Sequence, residues 1–170
     1  SAPMALASGG RLAAAVTAAG GLGLIGGGYG DADWLTREFE AAGNQPVGCG
    51  FITWSLARKP ALLDQALAHG PRAIMLSFGD PRPFAPAIAA AGAALICQCQ
   101  TIAHVDEAID AGAAIVIAQG GEAGGHGMGR GLMSFVPEAA DHLARRAPET
   151  ILVAAGGIAD GRGLAAALML

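Results

Sequence analysis

One imidazole in this sequence stands where it could move a proton. His126 lies in the run Gln119-Gly120-Gly121-Glu122-Ala123-Gly124-Gly125-His126-Gly127. The run follows Ala114-Ile115-Val116-Ile117-Ala118, an apolar stretch that reads as a buried strand. Glycine reaches positive φ at little cost and lets a backbone come close to a ligand. Histidine is the side chain whose ordinary pKa lies near neutrality, so it can give or take a proton there. Ordering so glycine-rich a loop costs conformational entropy, and a bound ligand is the simplest compensation. The other histidines have plainer settings. His69 and His142 fall on helical stretches, His69 near a helix end, and His104 falls early in a helix.

Two more groups could bind a small molecule. Gly156-Gly157-Ile158-Ala159-Asp160-Gly161 follows a strand-like run and leads into a helix. Backbone N–H groups and the helix dipole favour a phosphate at such a place. Gln98 and Gln100 share one face of a strand that is otherwise apolar. A buried amide without partners costs about 1–3 kcal/mol. Gln98 therefore points either to the edge of a ligand ring or to a neighbouring strand end. Gly21-Leu22-Gly23-Leu24-Ile25-Gly26 matches the dinucleotide pattern G-x-G-x-x-G only in letters. Its glycines overlap a strand instead of following one into a helix, which is the context that pattern needs.

The elements that must position these groups alternate. Strands are expected at Leu22–Ile25, Val47–Thr53, Ala73–Phe78, Leu95–Gln100, Ala114–Gln119 and Ile151–Ala155, with Pro3-Met4 as the tail of a preceding strand. Helices fall between them. One spans Gly10–Ala19, one is capped by Asp31 or Asp33, and one starts at Pro60. Others are bracketed by Pro83 and Pro86, opened by Thr101, begun by Ser134 and Pro137, and capped by Asp160. This is the βα rhythm of a parallel sheet. Unusual residues follow nearly every strand, not one switch point, which favours a TIM (β/α)8-type barrel over a doubly wound sheet. The pattern predicts an incomplete barrel in a single domain, residues 1–170, running from the tail of strand 1 through helix 7 with strand 8 missing.

Composition agrees with this α/β reading. Of 170 residues, 53% are hydrophobic and 14% charged, and mean hydropathy is +0.47. No run reaches the roughly 18 uninterrupted apolar residues of a membrane helix. The high hydropathy therefore reads as strands buried on both faces. The net charge is −4, with no basic cluster, which argues against nucleic acid as a partner. Ser1-Ala2-Pro3-Met4 lacks the basic start of a secretory signal, and a cytoplasmic location is expected. Cys49, Cys97 and Cys99 sit in apolar runs without metal-ligand spacing, so they read as core residues and no metal is expected.

The Gln119–Gly127 loop, read with Ala154-Ala155-Gly156-Gly157-Ile158-Ala159-Asp160-Gly161-Arg162-Gly163, resembles the nitronate monooxygenase family. Pro3-Met4, Leu22-Gly23-Leu24-Ile25-Gly26-Gly27 and Pro46-Val47-Gly48-Cys49-Gly50-Phe51 agree with it in order and spacing. The resemblance implies a TIM barrel with non-covalently bound FMN. It implies a cofactor site drawn from Pro3, Met4, Gly27, Gly50, Gln98, Gly124, Gly125, Gly156 and Gly157, with His126 as the catalytic histidine. Gly50 stands where many members carry Asn. The implied reaction is oxidation of an alkyl nitronate, with O2, to a carbonyl compound and nitrite. Two alternatives stand beside it: an NAD(P)H-dependent flavin quinone or enoyl reductase of the same superfamily, and a truncated barrel that holds no flavin. The partners implied are a small nitronate or nitroalkane and O2, with room for a homo-oligomer and with no membrane.

Overall fold

The computed structural model describes residues 1–170. They cluster into two compact units, 1–95 and 96–170.

The first unit contains α1 (Gly10–Ala18), β1 (Leu24–Gly28), α2 (Ala32–Ala42), β2 (Gly48–Ile52), α3 (Thr53–Leu56), α4 (Ala61–Ala68), β3 (Ala73–Ser77) and α5 (Ala85–Ala90). β1 pairs with β2 and β2 with β3, both parallel. Nearly every residue of the three strands is buried, as expected where both faces of a parallel sheet are covered. Ile25 and Ile74 from the strands, with Leu35 and Ala66 from the helices, are among its fully buried side chains. Each Ile or Leu so buried contributes about 1.5–3 kcal/mol. That exceeds what helix propensity adds per residue, so packing on the sheet decides these short helices. Asp31 starts α2 by accepting the Trp34 N–H at 2.9 Å, and Gly43, at φ 61°, stops it. The Trp34 indole N–H donates to the Gly26 carbonyl at 3.0 Å and ties that helix to β1.

The second unit continues from β4 (Ala94–Cys99), whose first two residues belong to the first unit. It adds α6 (Ile102–Asp110), β5 (Ile115–Gln119), α7 (Leu132–Arg146), β6 (Ile151–Ala155) and α8 (Gly161–Met169). β4, β5 and β6 pair in chain order, again parallel. Thr101 Oγ1 caps α6 and the Asp160 carboxylate caps α8, as the sequence predicts. α7 packs on β5 and β6, with Phe135, Val136, Ala139 and Leu143 buried. Ile151 and Val153 of β6 are exposed, and no residue of α8 is buried.

Within each unit, parallel strands follow one another without the reversal of order that marks a doubly wound sheet. The fold is therefore α/β of the barrel type. No helix is long and apolar enough to cross a membrane.

The structure corrects four sequence expectations. Pro3-Met4 is not strand. Residues 1–4 are irregular and 5–7 form a turn. Pro3 has no N–H to give a ladder. The segment is instead pinned beside β1 by Ser1, whose hydroxyl oxygen accepts the Leu24 N–H (3.2 Å), and by Ser8, whose hydroxyl donates to the Leu24 carbonyl (2.6 Å). Gly26, Gly27 and Gly28 lie within β1, not after it. A Cβ on Gly26 would stand 2.2 Å from the Met4 carbonyl oxygen, so the strand needs glycine to seat the N-terminal segment. The strand expected to reach Thr53 ends at Ile52, and Thr53 begins α3. Finally, α7 begins at Leu132, before Ser134, and carries Pro137 in its interior. The early start comes from a cap that local sequence does not show, the Glu122 side chain.

Candidate active site

The glycine loop after β5 is a closed Ω-type loop. The Gly121 N–H donates to the Arg130 carbonyl at 2.7 Å, which joins the two ends of segment 121–130. Glu122 is engaged at the start of α7. Its carboxylate accepts the Leu132 N–H at 2.9 and 3.1 Å, at the first residue of α7. A negative charge there satisfies an orphan donor and meets the positive end of the helix dipole. At the loop's exit, Arg130 ion-pairs with Glu138, donates to the Ser134 carbonyl (3.1 Å) and lies 5.1 Å from the Phe135 ring. Both ends of the loop are thus fixed to α7. Between them Gly124, Gly125 and His126 are exposed, and Gly125 takes φ 83°. A Cβ on Gly124 or Gly125 would meet nothing within 4 Å. The backbone before His126 is open to an incoming group.

Beneath the loop, three amides meet. Gln98 and Gln100 both donate from Nε2 to the Oε1 of Gln119, the latter at 2.8 Å. Gln119 in turn donates from Nε2 to the backbone carbonyl of His126 at 3.1 Å. Gln119 is 7% exposed and Gln100 6%, while Gln98 is half-buried. The Gln100 N–H donates to His104 Nδ1 at 3.3 Å, so His104 holds the end of β4. The two glutamines that the alternation places on one face do share a partner. That partner, Gln119, is the residue the sequence reading passed over. Its signal was available, since it is the one polar side chain closing an apolar strand just before the glycine run.

The turn after β6 faces the same loop. Gly156 and Gly157 take φ 134° and 67°, a region L side chains rarely adopt. A Cβ on Gly156 would lie 3.0 Å from the Ala123 nitrogen, and one on Gly157 3.2 Å from Glu122 Cβ. These two glycines therefore allow the turn to approach residues 120–123. The N-terminus of α8 beyond them is already filled. Asp160 accepts the Arg162 N–H at 2.9 Å and the Gly163 N–H at 3.5 Å. Its carboxyl is held below the usual range first by the Arg162 guanidinium, then by the Arg162 N–H. An anion would meet that carboxylate at the helix end, so the donors left for a phosphate belong to the glycine turn.

The remaining predicted contacts lie in the first unit. Gly50 and Gly27 are buried. A Cβ on Gly50 would overlap the Pro3 ring at 2.2 Å, and one on Gly27 the Phe51 ring at 2.6 Å. Gly50 thus seats Pro3, which is half-buried, while Met4 is 49% exposed. The other histidines have structural partners. The His69 ring stacks on Phe39 at 4.6 Å, and His142 Nε2 lies 2.8 Å from Asp106 Oδ1. Cys49, Cys97 and Cys99 are buried free thiols. Burial pushes Cys97 up to about 12 and raises the other two as well.

Comparison with known proteins places this arrangement in a class. FabK of Thermotoga maritima superposes over 99% of the chain with a TM-score of 0.86 at 31% identity, covering 53% of that protein. The nitroalkane oxidase of Streptomyces ansochromogenes superposes over 99% at 0.75 and 30% identity, covering 60% of it. The fold is that of TIM-barrel oxidoreductases. The nitronate monooxygenase family profile matches residues 55–170. A nitronate monooxygenase of Neurospora crassa is 33% identical over the whole chain and 56% of its own length. The chain belongs to the nitronate monooxygenase family, a family of oxidoreductases, and spans about half the length of the curated relatives it matches.

Proposed function

We propose that the protein is an FMN-dependent oxidoreductase that oxidises alkyl nitronates with O2 to carbonyl compounds and nitrite. The observation that carries this reading is the exposed His126 on a loop braced at both ends, beside glycines whose backbone is open. FMN, when bound, supplies the electron acceptor that nitronate oxidation needs. The residues fit such a group. Gly124 and Gly125 have free space where a side chain would stand, and the positive φ of Gly156 and Gly157 lets the turn after β6 come against the same loop without strain. We assign the phosphate to those four glycines, a ring edge to Gln98, and further contact to Pro3, Met4, Gly27 and Gly50. His126 takes the α-proton of a neutral nitroalkane, or donates a hydrogen bond to a nitronate oxygen.

His126→Asn in the full-length protein tests the histidine. A lost acid–base group lowers turnover by about 10²–10⁴-fold, with flavin still bound. Unchanged turnover removes His126 from the mechanism. A second reading, an NAD(P)H-dependent flavin quinone or enoyl reductase, draws support from the higher TM-score to FabK, 0.86 against 0.75 for the nitroalkane oxidase. Anaerobic mixing separates the two. Bleaching of the flavin by a nitronate supports the first, and bleaching by NADH alone supports the second.

A further inference from the structure

We infer that Gln119 is a positioning residue for His126, acting through a one-way chain of amides; this rests on the role proposed for His126. A glutamine amide can present either its oxygen or its nitrogen to a neighbour. Here the choice is forced. The His126 backbone carbonyl can only accept, so Gln119 must turn its Nε2 to it. That leaves Gln119 Oε1 for Gln98 and Gln100, which both bring Nε2 to it. A flipped amide would face two donors with a third and His126's carbonyl with an oxygen. The chain is further anchored at Gln100, whose N–H donates to His104 Nδ1. Gln119 is almost completely buried, so water does not compete freely for these bonds.

The consequence concerns the middle of the loop. Its ends are tied by Gly121–Arg130 and by Glu122–Leu132. Between them the glycines impose few conformational limits. The Gln119 amide is a buried side chain that reaches His126 itself, and it fixes the height of that residue above β5.

Gln119→Glu discriminates. An ionised glutamate, measured at a pH well above the carboxylate range, keeps the size and still accepts from Gln98 and Gln100, but it cannot donate to the His126 carbonyl. Hydrogen exchange of the full-length protein is the readout, because it does not depend on which substrate is turned over. Loss of one hydrogen bond opens segment 123–128 about tenfold more often. Exchange in β5 and β6 stays unchanged. Turnover falls with KM little altered, since the proton-transfer group is misplaced while the backbone contacts persist. Unchanged exchange in segment 123–128, or equal acceleration throughout the protein, overturns the inference. Should Gln119→Glu fail to fold, Gln100→Leu gives the second test. It leaves the donation to His126 but removes one of the two donors that hold the Gln119 amide in place, so the same segment accelerates by a smaller factor. No change there overturns the inference equally. Faster exchange in the absence of nitronate turnover by the native protein would contradict the proposed function and leave the amide chain standing.

Discussion

His126 and Gly156 show two uses of the same backbone freedom. The glycines before His126 leave space open, whereas Gly156 uses its φ of 134° to bring one turn against another. Gly156→Ala should therefore destabilise the protein, because an alanine pays for that φ and its methyl stands 3.0 Å from the Ala123 nitrogen. A strained non-glycine residue costs about 1–3 kcal/mol, which urea unfolding will read as a lower midpoint. Gly124→Ala, with nothing within 4 Å of its Cβ, should leave that midpoint nearly unchanged. At this scale the sequence showed the glycine loop that carries His126 but not what holds it. His126 was legible because glycine and histidine stand together after an apolar strand. Gln119 was not, because its partners Gln98 and Gln100 come from another strand and depend on the register of β4 against β5.

Among the elements, α7 carries the loop. Its first turn is capped by Glu122, ten residues upstream, and not by the residue just before it, since Gly131 offers no side chain. A sequence search for Ser, Thr, Asp or Asn at the helix start could not find this, and it set the boundary at Ser134. Glu122→Ala should cost about 1 kcal/mol, measured as a shift in the unfolding midpoint. It should also loosen the exit of the loop. Glu122→Gln can still accept the Leu132 N–H, so the loss there is smaller. The strands and most helices were legible because each apolar run is bounded by glycine, proline or a capping residue. Asp31, Thr101 and Asp160 all cap as expected. The misplaced elements, at Pro3-Met4 and in the glycines of β1, share one cause. An irregular N-terminal segment packs on two strands, β1 and β2, through the missing side chains of Gly26 and Gly50. Periodicity has no way to express such a contact.

In the molecule as a whole, the buried thiols give a pH dependence with a definite sign. The Cys97 thiol is raised from 9.0 to about 12 by burial. Below pH 9 both folded and unfolded chains keep the proton, and the contribution is complete. Between pH 9 and 12 the unfolded chain loses protons that the folded chain retains, so stability falls as pH rises. Cys49 and Cys99 act in the same direction. Thermal unfolding followed from pH 7 to 10.5 should show the decline beginning near 9, and Cys97→Ser should change its steepness. The same thiols should react slowly with iodoacetamide until the chain unfolds, because the thiolate is the nucleophile.

We propose that the glycine turns around His126 serve a flavin. The absorption spectrum of the purified full-length protein tests it most directly. Flavin bands in the visible region, released with the cofactor on heating and restored by added FMN, are the predicted result. A colourless protein whose spectrum and melting temperature do not change on addition of FMN would contradict the account.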